Sequence, residues 1–557
     1  MLQVLQKKLD LWTIVTIVII ALLCILLLLP IMQILILGFM DEETGAFTLA
    51  NFQKVLTRNY YVNGLKNTLF VGILGTVGAC LVGIPLAFFT TRFKIRGNAW
   101  IQTLAILVLV SPPFIGAYAW IMMLGSNGFI TNSFKAIGLD TPTIYGAPGI
   151  ILVFSLKFFP FIFLMTQTSL NNVNKSFEDA AENLGCNPWQ RFRKVTLPLV
   201  FPAVSTGAII CFVLSIADFG TPAIIGRGFR TLSTIALSAY RSELGGAPTM
   251  AVTVSILMMA ISMIALVIQR RILAKKRYAS SLTNLPVPVK LEGWKNWGIH
   301  IFCHGLVLIA MLPSIVVIYT SILKTKGPVF VGGFGFESYQ RIWRDAPEAI
   351  FNSFSLSITA ALLITIASAF ISYVIVRRET RVAASIDFLM MVPYLVPGVV
   401  MAIGFVTVFR NALPDVFTAT VLLLMVYFIR RLPYGVRATS SSLRQIQPSL
   451  EEAAINLGAS PIGAFRMITI PLIIPGIIVG GLMAFITAIN ELSSTVIIYD
   501  SGTITMPVQV YIAVLDGEFG TAAAMSTILL LSTGICVYAV FRFAENRVSA
   551  VMLENDI

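Results

Sequence analysis

One polar stretch occurs twice in this chain, and that repeat limits the fold more than any other feature. The first copy is Glu178-Asp179-Ala180-Ala181-Glu182-Asn183-Leu184-Gly185, followed by Pro188, Phe192, Arg193, Thr196 and Pro198. The second is Glu451-Glu452-Ala453-Ala454-Ile455-Asn456-Leu457-Gly458, followed by Pro461, Phe465, Arg466, Thr469 and Pro471. Each position maps onto its partner at a constant offset of 273 residues, without a gap from Pro160/Pro433 to Ile216/Ile489. A gap-free repeat of this length makes the chain two halves of like structure. Its surroundings are apolar: 57% of the chain is hydrophobic and 12% charged, against about 25% charged in a soluble domain.

Long apolar runs recur from end to end, each near the ~20 residues that cross a bilayer as a helix. They predict an all-α membrane protein with 12 transmembrane helices; the short alternating strands of a barrel are absent. The first six spans run from about Leu11 to Leu37, Leu65 to Phe89, Trp100 to Leu124, Pro148 to Thr168, Leu199 to Ile225 and Met250 to Ile268. The second six run from about Ile299 to Leu323, Ser353 to Val376, Phe388 to Phe409, Phe417 to Ile429, Pro471 to Ile498 and Ala522 to Phe541. Residues 1–270 and 298–557 thus form two six-helix units, joined by a polar linker, 271–297, that holds Pro286 and Pro288. Six is even, so the units are parallel repeats rather than inverted ones.

The net charge of +13 does not point to nucleic acid. The cations sit in clusters between apolar runs, where they set topology. Lys7, Lys8, Arg92, Lys94, Arg96, Lys175, Arg191, Arg193, Lys194, Arg270, Arg271, Lys275, Lys276 and Arg277 all fall on one side. That side is cytoplasmic by the positive-inside rule, with both termini on it. The outer segments hold fewer cations, and the first of them carries Asp41, Glu42 and Glu43. Five of the six cysteines lie in apolar runs and none forms a C-x-x-C pair, so they read as small hydrophobes.

Each repeat copy reads as a short helix, a turn and a second short helix on the cytoplasmic side. Gly185 and Gly458 suit the left-handed turn that ends the first helix. Pro188 and Pro461 suit the first turn of the next. The acids Glu178, Asp179, Glu451 and Glu452 fall in a first turn, where the helix dipole favours negative charge. Small Ala180, Ala181, Ala453 and Ala454 allow another surface to come close. Two knobs with exposed acids ask for a partner with two matching sockets.

Both copies resemble the EAA motif of ATP-binding-cassette (ABC) importer permeases, E-A-A-x-x-x-G, the first departing from it with Asp179 in place of Glu or Ala. The resemblance covers essentially the whole chain as a fused pair of permease units. Ala217-Asp218-Phe219-Gly220-Thr221-Pro222-Ala223 makes it similar to the fused ferric-iron permeases, whose relatives handle hexose phosphates, phosphonates, polyamines and thiamine. The resemblance implies the type I ABC importer permease fold in a bacterial inner membrane. It also implies that the repeated loop docks into an ATPase subunit. No Walker A pattern occurs in the sequence, so the resemblance places ATP and Mg on two copies of a separate ATPase. The chain itself is then no enzyme and holds no cofactor. An extracytoplasmic solute-binding protein would deliver the cargo, ferric iron or another small solute.

Ionisable groups within apolar spans usually face a cavity or a partner. Asp218 maps onto Glu491 at the same offset, with Asn490 beside the second. Two readings stand: these acids line a translocation path, or they cap broken helices and pair with cations between spans. Lys157 maps onto Arg430, beside Arg431. Those cations either attract an anionic cargo or snorkel toward headgroups. Pro112, Pro113, Pro393 and Pro397 predict breaks in the third and ninth spans, for a gate or as packing kinks. His300 and His304 share a helix face around Cys303, but with no twin in the first half they are read as packing rather than a metal site. An ion-coupled secondary transporter with Asp218 and Glu491 as proton carriers is the outside alternative, and it leaves the paired knobs without a purpose.

Overall fold

The structure, a computed structural model, describes residues 11–41, 44–140, 143–242, 249–274, 287–327, 329–378 and 380–554. Lys7, Lys8, Glu42, Glu43, Lys275, Lys276, Arg277 and Pro286 lie outside the described residues. Among those described, eleven helices are long and apolar enough to cross a membrane. A twelfth crossing is the pair Arg381–Tyr394 and Gly398–Arg410, bent by 107° at the break. The chain is therefore an all-α membrane protein built as two six-span repeats.

Two compact units emerge, and their limits differ from those of the sequence halves. One comprises Met1–Leu49, Glu337–Ile512 and Met525–Ile557; the other comprises Ala50–Phe336 and Ala513–Ala524. The opening helix of each half therefore packs within the other half's bundle. In the first unit Leu11–Gly38 lies against Pro347–Arg377 and Gly398–Phe405, around a core of Pro347–Arg377, Ala419–Leu443 and Ile470–Ile489. Gly404 permits this approach, since a Cβ there would meet the Pro30 carbonyl oxygen at 3.0 Å. In the second unit Gly293–Ser321 lies against Asn98–Val110 and Pro113–Leu124, beside a core of Asn59–Arg92, Ala147–Asn171 and Leu197–Ala217. Small residues bring these helices together, as they do wherever lipid supplies no hydrophobic drive between spans. A Cβ on Gly83 would sit 2.9 Å from the Phe159 carbonyl oxygen.

Proline shapes the spans in a regular way. Three of the four π-helical segments among the described residues, Cys24–Leu28, Phe192–Thr196 and Phe465–Thr469, each end two residues before a proline: Pro30, Pro198 and Pro471. Proline lacks an N–H and its ring crowds the carbonyl four residues back. Widening the preceding turn relieves both problems. The predicted breaks at Pro112-Pro113 and at Pro397 are present, with Ser111 and Val396 extended. The fifth and eleventh spans are also broken, where the sequence predicts continuous helices. The fifth stops at Ala217 and restarts as Gly220–Ile225; the eleventh stops at Ile489 and restarts as Thr495–Ile498. Short helices, Phe129–Ala136 and Leu232–Ser242, and a hairpin of Leu323–Lys326 with Val329–Phe334, occupy segments read as loops or span ends.

Candidate functional site

The two repeat copies fold alike, residue for residue. Ser176–Asn183 and Ser449–Asn456 are the first helices; Pro188–Arg191 and Pro461–Ala464 open the second. Each then runs through its π-helical segment into a long helix, Leu197–Ala217 or Ile470–Ile489, and every bound but the last obeys the offset of 273. The turns match as well. Gly185 has φ +82° and Gly458 φ +95°. The N–H of Cys186 donates to the Ala181 carbonyl and that of Gly185 to Glu182, while Ala459 and Gly458 donate to Ala454 and Ile455. This double bond pattern closes a helix through a left-handed residue. Proline at Gly458 would force φ to about −65° and remove the donor to Ile455, disfavouring the turn by roughly 2–4 kcal/mol. Gly458→Pro is expected to raise hydrogen exchange across residues 449–464 and to abolish any activity that needs the knob.

Sequence reading leaves Glu178 and Glu451 exposed for a partner. The structure turns both inward, and the reason is an arginine at the end of the second span of each half. Arg92 Nη2 pairs with Glu178 Oε1 at 2.6 Å, and Thr196 Oγ1 donates to the same oxygen at 2.7 Å. Arg377 Nε pairs with Glu451 Oε1 at 3.0 Å, Tyr373 OH donates to Oε2 at 3.0 Å, and Arg377 Nη2 donates to the Ile446 carbonyl. The Glu178 side chain is 18% exposed and Glu451 only 8%. These acids pin each knob to its bundle. Ala181 is buried against the same bundle, while Ala180, Glu452 and Ala453 are exposed.

Each knob also holds apolar side chains outward. Leu184 is 85% exposed and its twin Leu457 90%, at the apex of each turn. Phe177 and Leu450, then Trp189 and Ile462, flank them in matching positions and are also exposed. Apolar side chains held out on a rigid turn mark an interaction surface. The repeat carried the signal for Leu184 and Leu457, apolar residues conserved in register within a polar stretch. Arg92, Arg377 and Tyr373 gave none, because the arginines read as topology charges.

The paired intramembrane residues gather at the broken spans. Lys157 Nζ donates to the carbonyls of Leu109 (2.8 Å) and Ser111, so a cation caps the helix end freed by Pro112-Pro113. Arg430 bonds Ser494 Oγ at 2.9 Å, and Ser494 Oγ in turn donates to the Gly398 carbonyl just past Pro397. Asp218 Oδ2 accepts the Thr221 N–H at 2.9 Å, capping the short helix after the break. Glu491 Oε1 does the same for Ser494 N–H at 3.0 Å, while its other oxygen pairs with Arg430 (2.6 Å) and Arg431. Asn490 donates to the Ile486 carbonyl. Each half thus sets its acid on the fifth-span break; the first sets its cation on the third-span break, while Arg430 of the second is tied to the eleventh-span break and reaches the ninth through Ser494. Pro393 lies in the one-turn helix Val392–Leu395 at this bend. His300 Nε2 accepts the Arg96 N–H at 3.1 Å, and no cluster of three or more metal-ligating side chains occurs among the described residues.

Comparison with known proteins places the repeat in context. The family of binding-protein-dependent transport system inner membrane components matches twice, at residues 80–278 and 370–550. The ferric transport system permease protein FbpB of Actinobacillus pleuropneumoniae is 27% identical over 528 residues, covering 90% of this chain and 74% of that protein. A putative ferric transport system permease protein, FbpB 1 of Haemophilus influenzae, is 27% identical over 85% of this chain and 76% of its own. A chain of the crystal structure of a bacterial alginate ABC transporter, bound to its alginate-loaded periplasmic protein, superposes with a TM-score of 0.41 at 18% identity, over 50% of this chain and 99% of that one.

Proposed function

Since this chain belongs to the family of binding-protein-dependent transport system inner membrane components, we propose that its two halves, 1–270 and 298–557 with 271–297 between them, are the paired permease units of an ABC importer of ferric iron. The observation that carries this reading is the pair of congruent knobs, pinned by buried acids and tipped with exposed leucines. One ATPase subunit docks on each knob and supplies the ATP and Mg chemistry; this chain hydrolyses nothing. A solute-binding protein on the opposite face delivers the cargo, and both termini lie in the cytoplasm beside the knobs. Closure of the ATPase pair draws the knobs together, and the pins pass that motion to the second span of each half. The bundles then rock between inward-open and outward-open states. The acids and cations of the broken spans, Asp218, Glu491, Lys157 and Arg430, hold the bends on which that rocking turns, at the edge of the path. Iron as cargo is supported by two similar relatives that carry ferric transport in their names.

Proteoliposomes holding this chain, its ATPase and its binding protein are expected to accumulate radiolabelled ferric iron only with ATP inside the ATPase compartment. A protonophore should leave the rate unchanged. Uptake that collapses with the protonophore and ignores ATP would favour the ion-coupled alternative. ATP-driven uptake of a phosphorylated sugar or a phosphonate in place of iron would move the cargo assignment alone.

A further inference from the structure

The knobs differ in what lies beside them. Against the second, the Trp12 indole stacks on Tyr373, with ring centroids 3.9 Å apart, and meets Phe465 edge-on at 4.9 Å. That indole is only 4% exposed. The same place beside the first knob is a cleft of about 670 Å³. Its walls correspond to those around Trp12. Phe192 and Thr196 stand at the offset of 273 from Phe465 and Thr469, and Phe88 and Arg92 stand 285 positions before Tyr373 and Arg377. One side is closed by Val289, whose strand-like segment bonds to Arg92 and Lys94 backbone groups.

We propose that this cleft binds a small planar aromatic molecule. The twin site shows what the walls accept: a planar ring stacked on one aromatic and edge-on to another. In the first half Phe88 and Phe192 meet edge-on at 5.0 Å, as Tyr373 and Phe465 do, and Trp189 stacks on Phe192 at 5.7 Å from the rim of the cleft. The volume lies within the roughly 300–1,000 Å³ of ligand pockets, and its lining is mostly apolar, as theirs is. Arg92 lines the cleft but is 9% exposed, with Nη2 paired to Glu178 and Nε and Nη1 buried beneath the wall, so the wall it forms is rigid rather than a polar anchor. Glu178 and Glu182 on the same wall are already paired, with Arg92 and Arg191. Because Glu178 and Trp189 belong to the knob, a bound ring would wedge between the knob and the span it is pinned to.

The test uses 5-fluoroindole-3-acetate as the probe and the full chain in lipid nanodiscs, read by fluorine NMR line broadening and titrated to a stoichiometry. One site per chain is expected. Val289 is 56% exposed, and Val289→Trp should fill the cleft and abolish the site. Trp12→Ala should open the twin and give two sites. No saturable broadening in the unaltered chain, or binding unchanged by Val289→Trp, would overturn the proposal. One site in a folded Trp12→Ala chain would overturn the equivalence of the clefts. Should that variant fail to fold, the unaltered chain and Val289→Trp decide the matter between them.

Discussion

Glu451→Lys is expected to reduce transport by at least about tenfold while leaving the chain in the membrane. The substitution sets a lysine against Arg377 at a site where the carboxylate is 8% exposed. Removing one partner of a buried pair costs about 3–5 kcal/mol, so the pinned position of the knob loses roughly two to four powers of ten in population. Like charge adds repulsion to that loss. ATP hydrolysis should continue, because the altered group lies on the bundle side of the knob and away from its exposed tip. The expected signature is therefore futile hydrolysis: ATP consumed without cargo moved. Glu178→Lys should behave in the same direction but more mildly, since that acid is 18% exposed and solvent screens it. The exchange Glu451→Lys with Arg377→Glu restores the opposite charges and should recover part of the transport. Should Glu451→Lys transport normally, the pins carry no force and the knobs act by some other linkage.

Glu491→Gln should cost the most stability of any single change in the first compact unit. The Glu491 side chain is 4% exposed and faces Arg430 and Arg431, which are 12% and 16% exposed. An amide cannot neutralise either guanidinium, and two buried cations would then face each other alone. The cost of about 3–5 kcal/mol corresponds to a fall of roughly 5–15 °C in Tm for a cooperative unit of this kind. Asp218→Asn should be far milder, because its role is to cap Thr221 with one oxygen, and an asparagine oxygen caps as well. Thermal unfolding of both variants in detergent, followed by fluorescence, checks the contrast. Equal, small shifts would return these acids to the candidate list for proton carriage.

Much of this arrangement was legible from the residues, for identifiable reasons. The repeat fixed two like halves, and the glycine and proline of each copy specified a turn that the structure reproduces with φ of +82° and +95°. Paired prolines foretold breaks in the third and ninth spans. The breaks at Asp218 and Asn490 were legible only as one of two readings of the intramembrane acids, the one in which they cap broken helices and pair with cations, and it is this one the structure shows. The inward turn of Glu178 was hidden because its direction is set by Arg92, 86 residues away. The exchange of opening helices between bundles was hidden too. An apolar run says that a helix seeks an apolar neighbour, and lipid, its own bundle and the other bundle all qualify. Trp12, lodged against Tyr373 and Phe465, records the choice made.

Native mass spectrometry of the chain released from membranes with its ATPase tests the central claim most directly. The account predicts one copy of this chain with two ATPase subunits, one on each knob. It predicts that Leu184→Asp with Leu457→Asp, at positions 85% and 90% exposed, leaves the chain folded but alone. A complex that keeps both ATPase subunits after that double substitution would contradict it.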